Sequence, residues 1–188
     1  MRRRGGGRLS EPEARCLIGC AGISVGANTA EEYRTIGERL FDDTYEAVQL
    51  PMNVCDHRPL QNGVMKRLRD AGKTVFVRSL FLQGLVHLAP EQLPAHLEEA
   101  AAPLSALHGL SERYGISVGS IAVAFIRDLQ GVDSLVVGAE TPQQVRGNIR
   151  LLEEAPPLPE RLTQEIVRLF ADMPERVITP HLWPQNKS

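Results

Sequence analysis

Asp56-His57-Arg58 puts a carboxylate, an imidazole and a guanidinium side by side, the side-chain types that proton transfer employs. The three follow an apolar run that stops at Pro51, so they fall where a strand gives way to the next helix. In that place His57 is a candidate catalytic acid. The plain reading has Asp56 capping the following helix while Arg58 stands in solvent. Arg78-Ser79 closes a second apolar run, and a planar guanidinium stacks on an aromatic face as readily as it offsets negative charge. Gly138 closes a third, where backbone can come close to a ligand. A helix starting near Pro142 can turn its N-terminus toward a phosphate, with Gln144 and Asn148 just beyond. Ser24 and Gln49 also lie at strand ends. Each of these has a structural alternative: Ser24 as a strand-end cap, Gln49 as a polar sheet residue, Asn148 as helix surface. His87, His96 and His108 lack ligand spacing, so no metal is expected.

These residues need a frame to hold them. Apolar runs near 16–24, 46–50, 74–79 and 134–138 predict strands, and they do not alternate apolar with polar. Helical spacing separates them. Thr29 with Glu32 has a capping-box interval ahead of Tyr33, Ile36 and Leu40. Leu60 to Leu68 predicts a helix that stops at Gly72, and His96–Tyr114 and Val118–Leu129 predict two more, split by Gly115. Helices near Pro142–Glu153 and Pro159–Asp172 follow. This alternation is that of an α/β protein with a parallel sheet covered by helices, whose ligands gather at the strand C-terminal ends. Residues 1–15 are expected as a flexible lead-in, 16–172 as the domain, and 173–188 as an extended tail.

The 188 residues are 43% hydrophobic and 23% charged, with a formal net charge of −2, enough for one ordinary core. A balance so near neutrality gives no electrostatic case for nucleic acid, and no apolar stretch has the length of a spanning helix. Cys16, Cys20 and Cys55 are odd in number without a CxxC pair, so neither a disulfide framework nor a zinc knot is expected. Core thiols in a reduced, cytoplasmic protein are the expectation.

Four ordered pieces carry a family resemblance: Gly22-Ile23-Ser24-Val25, Val48-Gln49-Leu50-Pro51-Met52-Asn53, Arg78-Ser79-Leu80-Phe81-Leu82-Gln83-Gly84, and Val136-Val137-Gly138-Ala139 leading to Gln144 and Asn148. Together, over residues 16–172, the chain resembles the second half of an aldo/keto reductase TIM barrel, that is, a parallel (β/α) half-barrel. The resemblance implies a carbonyl oxidoreductase using NADP or NAD, with a lean toward NADP. It implies that Ser24 and Gln49 hold the nicotinamide carboxamide and that Arg78 stacks beside the ring. Ser79 would then meet the diphosphate, Gly138 the adenosine ribose, and Gln144 and Asn148 the adenine. Val25 stands where many relatives have Asn. Glu140 and Gln144 stand where basic residues often mark NADP preference.

The family's proton-donating tetrad, an Asp, a Tyr, a Lys and a His, belongs to the other half of such a barrel and is not expected in this chain. Three readings follow: a shortened reductase, inactive alone; a half-barrel binding or regulatory protein; or a self-associating half-barrel enzyme with different chemistry. Unpaired sheet edges make a homo-oligomer, or a partner that completes the barrel, the expected state. A small-molecule carbonyl compound is the expected substrate.

Overall fold

Four short runs of β-branched and aliphatic residues form strands β1 (Gly22–Ser24), β2 (Ala47–Pro51), β3 (Thr74–Arg78) and β4 (Ser134–Val136) in a computed structural model that describes residues 18–184. They lie in the order β1-β2-β3-β4, and every neighbouring pair is parallel. Consecutive strands are therefore adjacent in space, and the connections carry the helices α1 (Ala30–Ile36), α2 (Arg58–Gln61), α3 (Val64–Asp70), α4 (Ala101–Tyr114) and α5 (Val118–Arg127). After β4 come α6 (Pro142–Glu154), α7 (Glu160–Leu169) and α8 (Glu175–Ile178). The half-barrel expectation holds.

The two sheet faces differ. Val48, Leu50, Val75 and Val77 are fully buried on the helix side, among Leu68, Leu104, Leu107, Ile121, Ile126 and Phe170. Full burial of such a side chain stabilises by about 1.5–3 kcal/mol. Between them, Gln49, Phe76 and Arg78 are only half-buried, and Ser24 and Val136 are exposed. Register places Ser24 opposite Gln49, Gln49 opposite Phe76, and Arg78 opposite Val136, so these share the second face. Burial thus alternates along β3 and the first four residues of β2, where covered strands had been expected. Helices lie on one face only among the described residues, which leaves the polar and apolar residues of the other accessible.

Local chemistry fixes the element ends. The Thr29 hydroxyl accepts from the Glu32 amide at 3.1 Å, as the sequence interval requires. The reciprocal half of the capping box is absent, because the Glu32 carboxylate accepts instead from the amides of Gly26, Ala27 and Asn28. Thr141 and Gln144 make a complete box at the start of α6. The helix predicted from Leu60 to Leu68 is broken in two, since Gly63 takes φ +75° between α2 and α3.

Several expectations need correction. The strand predicted from residue 16 begins only at Gly22, and Ile18 to Cys20 are exposed. Cys20 is therefore a surface thiol rather than a core one, whereas Cys55 is fully buried. Cys16 and the 1–15 lead-in lie outside the described residues. The segment from 173, expected to be extended, folds a helical turn at α8 and buries Val177, Ile178 and Thr179. No helix of the described residues is long and apolar enough to cross a membrane.

Candidate functional site

The C-terminal ends of β1, β2 and β3 converge with the turn after α8 around a cavity of about 330 Å³. Asn53, Asp56, Arg78, Ser79, Gln83 and Thr179 are among its lining residues. A second groove, of about 460 Å³, runs between the loops after β3 and β4 and is lined by Ser79–Gly84, Val136–Glu140 and Gln144.

The structure brings Ser24 and Gln49 together, with the Ser24 hydroxyl donating to the Gln49 Oε1 at 3.2 Å. Register alone accounts for this, since the two residues are partners across β1 and β2. Arg78 ends β3, and its guanidinium crosses the end of β2 to reach the loop after β1. Nη2 donates to the Val25 and Gly26 carbonyls at 3.0 and 2.7 Å, and Nη1 to the Ser79 hydroxyl at 3.1 Å. These bonds fix the plane of the guanidinium.

Ser79 turns the chain with a left-handed φ of +66° and lines both the cavity and the groove. Gly138 lines the groove, and a Cβ there would meet no protein atom within 4 Å, so the space beside it is open. The Gln144 Oε1 accepts from the Glu140 and Thr141 amides at 2.6 and 3.2 Å, which commits its carbonyl end to capping α6. Only its amide nitrogen can serve a ligand. Asn148 lies one turn further along, its Nδ2 donating to the Gly138 carbonyl at 3.4 Å. Glu140 is the one charged residue lining this groove.

His57 is not part of the cavity. It is 3% exposed and stacks on Phe125 at 4.9 Å between ring centroids, with Phe170 edge-on at 6.4 Å. Burial pushes its pKa below the ordinary histidine value, opposed by the Val54 carbonyl and the Asp56 carboxylate. A neutral ring packed between aromatics is a core residue, and the candidate catalytic role falls. Arg58 is likewise not in solvent. It clamps Asp56 through Nε and Nη2, both at 2.8 Å, and reaches the Ile178 carbonyl at 3.3 Å. Asp56, 1% exposed, also accepts from the Asn28 amide nitrogen at 3.3 Å. Tyr33 donates to the Asn28 Oδ1 at 2.7 Å, so its hydroxyl belongs to this network at the strand ends. Burial, Asp56 and Glu32 all raise its pKa, which holds the phenol protonated.

Tyr45 and Lys73 meet at the opposite end of the sheet, Lys73 donating to the Tyr45 and Asp42 carbonyls. Tyr114 donates to Glu165 on α7. Among the described residues no tyrosine–lysine pair stands beside Ser24 and Gln49, and no three metal-ligating side chains come together. Sequence reading quoted Asn53, Leu82 and Gln83 within the family motifs without giving them a role, and it gave none to Asn28 or Thr179.

A profile of the Aldo/keto reductase family matches residues 14–169. The chain belongs to that family. Among solved structures it is similar to the aldo-keto reductase AKR11C1 from Bacillus halodurans in a holo form, with a TM-score of 0.61 and 22% identity, over 85% of this chain and 52% of that one. It is also similar to a thermostable aldo-keto reductase, Tm1743, in complex with the inhibitor epalrestat, with a TM-score of 0.60 and 17% identity, over 85% of this chain and 51% of that one. This chain therefore spans about half the length of the solved structures it matches.

Proposed function

We propose that this chain carries the dinucleotide-binding half of an NAD(P)H-dependent carbonyl oxidoreductase. The observation that supports it most directly is the arrangement of one continuous tract across the four strand ends. It runs from the Ser24–Gln49 pair, past Arg78 and Ser79, to Gly138 and Gln144 in the groove, with Asn148 bonded to the Gly138 carbonyl beside it. The donor set suits the cofactor: a hydroxyl and an amide for a carboxamide, a fixed guanidinium plane for an aromatic ring, and glycine-opened space for a ribose. When bound, the nicotinamide supplies a hydride for a carbonyl carbon.

The chain's own residues bind and orient. Gln49 and Ser24 would set the ring's rotation, and Arg78 would hold its position while offsetting phosphate charge. The new alkoxide needs a proton, and no described residue beside this tract is placed to give it. Activity toward small carbonyl compounds accordingly requires a proton donor from outside the described residues. The open sheet face supports the matching reading that a second copy or a partner lies against it. Free thiols at Cys20 and Cys55 fit a reducing, cytoplasmic setting.

Titration of the purified chain with NADH and NADPH, followed by nucleotide fluorescence, tests the reading. Saturable binding in the micromolar to millimolar range is expected, since a half-site lacks the full pre-organisation of a closed one. Absence of a binding signal with either nucleotide would overturn it.

A further inference from the structure

Helix α6 buries none of its 13 residues, and only Asn148 and Leu151 are half-buried. A helix on a globular protein ordinarily turns its apolar stripe to the core. Here Leu151 packs on the core, while Val145, Ile149 and Leu152 stand 46%, 50% and 45% exposed. Their spacing of four and then three residues lines them up in one stripe. Between that stripe and β4 lies a slot of about 130 Å³, walled on the strand side by Leu135 and Val137 and apolar but for Asn148.

The charges on α6 run against its own dipole. Arg146 and Arg150 come first, and Glu153 and Glu154 fill the last turn, whereas a helix favours acid at its start and base at its end. Arg150 and Glu154 pair with each other at 3.9 Å. Arg146 and Glu153 have no ionic partner among the described residues. Seven positions apart, they lie about two turns apart on the same flank of the stripe. An order that is unfavourable within one helix becomes favourable between two laid antiparallel. With a twofold axis at Ile149, Val145 of one copy meets Leu152 of the other, and each Arg146 comes level with the other's Glu153. The two helix dipoles then also oppose.

We propose that α6 is a self-complementary docking face, on which a second copy of this chain seats its own α6 antiparallel. Val145, Ile149 and Leu152 form the apolar seam, and the two Arg146–Glu153 pairs fix its direction. This face is separate from the accessible side of the sheet, and the proposal is independent of the cofactor reading. One helix pair buries less than the roughly 1,200 Å² of a standard interface, so the dimer is weak and concentration-dependent.

Sedimentation velocity of the full chain over a concentration series at low salt tests it, with Ile149→Glu, Arg146→Glu and Glu153→Arg. All three positions are exposed, so urea unfolding should stay close to wild type. Wild type should dimerise in the micromolar to millimolar range, and Ile149→Glu should remain monomeric. Each charge variant alone should weaken the dimer about tenfold, since like charges then face each other. Mixed one to one, the two charge variants should associate as tightly as wild type, because each meets its opposite. Added salt should shrink these differences. A wild type that is monomeric throughout overturns the proposal and leaves the stripe to a different chain. Association lost in Phe76→Glu but kept in Ile149→Glu overturns it by placing the contact on the sheet face. Failure of the mixed charge variants to recover overturns the antiparallel register on which it rests.

Discussion

The Arg78 guanidinium donates to the Gly26 carbonyl at 2.7 Å, which ties the last residue of β3 to the loop after β1 across the end of the strand between them. A second bond to the Val25 carbonyl doubles the tie. The side chain expected to stack beside a ring is thus also a brace for the rim of the site. Arg78→Ala should lower unfolding free energy by about 1–3 kcal/mol, since charge-assisted bonds exceed neutral ones. It should weaken NADH in parallel. Arg78→Lys should recover little of either, because one ammonium cannot keep the planar fork. Urea unfolding and nucleotide titration on the same samples check both.

Glu140 is the charged residue lining the groove, and on the proposed cofactor reading it should set the preference among nucleotides. NADPH carries an additional phosphate, and a carboxylate at that wall opposes it. NADH should bind more tightly than NADPH, against the lean of the family resemblance. Glu140→Lys should raise the NADPH to NADH affinity ratio by about tenfold at low salt, an effect that shrinks as salt screens it. Fluorescence titrations at two ionic strengths read this out, and an unchanged ratio would count against it.

Asp56 and Arg58 form a buried pair that also holds the chain beside α8. Breaking one side leaves the other buried without its partner. Arg58→Met should cost about 3–5 kcal/mol. It should also loosen the turn after α8, visible as faster amide exchange at Val177 and Ile178.

His57 makes stability depend on pH. Its folded pKa lies below the ordinary value of 6.5, so the unfolded chain binds more protons near and just below that pH. Unfolding free energy should therefore fall as pH drops through about 6.5, and level off below the folded pKa. His87 is shifted in the same direction and contributes the same sign. His57→Phe, which keeps the ring stack on Phe125, should flatten part of that slope while leaving nucleotide affinity unchanged.

The open sheet face should drive association. Concentrated solutions should contain species heavier than the 20.7 kDa chain, burying on the order of 1,000 Å² or more. Phe76→Glu, on that face, should shift the distribution toward monomer in sedimentation velocity. A single monomeric boundary for the wild type at high concentration would exclude it.

Strand positions could be read from the sequence because β-branched runs such as Val75-Phe76-Val77 leave little choice, and Thr29 and Gly115 mark helix ends by local chemistry. Ser24 and Arg78 could be read as strand-end residues for the same reason, whereas Gln49, expected at a strand end, sits in the middle of β2. Hidden from it was everything set by the third dimension. Nothing in Asp56-His57-Arg58 says that the imidazole turns into an aromatic core while the guanidinium folds back on the carboxylate. Nothing in Glu32 says that it serves the loop before its own helix. Alternation of burial went unseen because Ala47, Phe76 and Val136 are apolar residues on the accessible face, so hydropathy could not distinguish the two sides.

That mixed face has a consequence for how the chain tolerates change. Val48, Leu50, Val75 and Val77 answer to folding, because each is walled in by helices. Their neighbours at 47, 49 and 76 answer to whatever meets the bare side. Substitutions along β2 and β3 should therefore sort by parity of position: one set erased by loss of the folded chain, the other surviving as folded protein that has lost its companions. A library scored separately for abundance and for binding would show two interleaved combs, offset by a single residue.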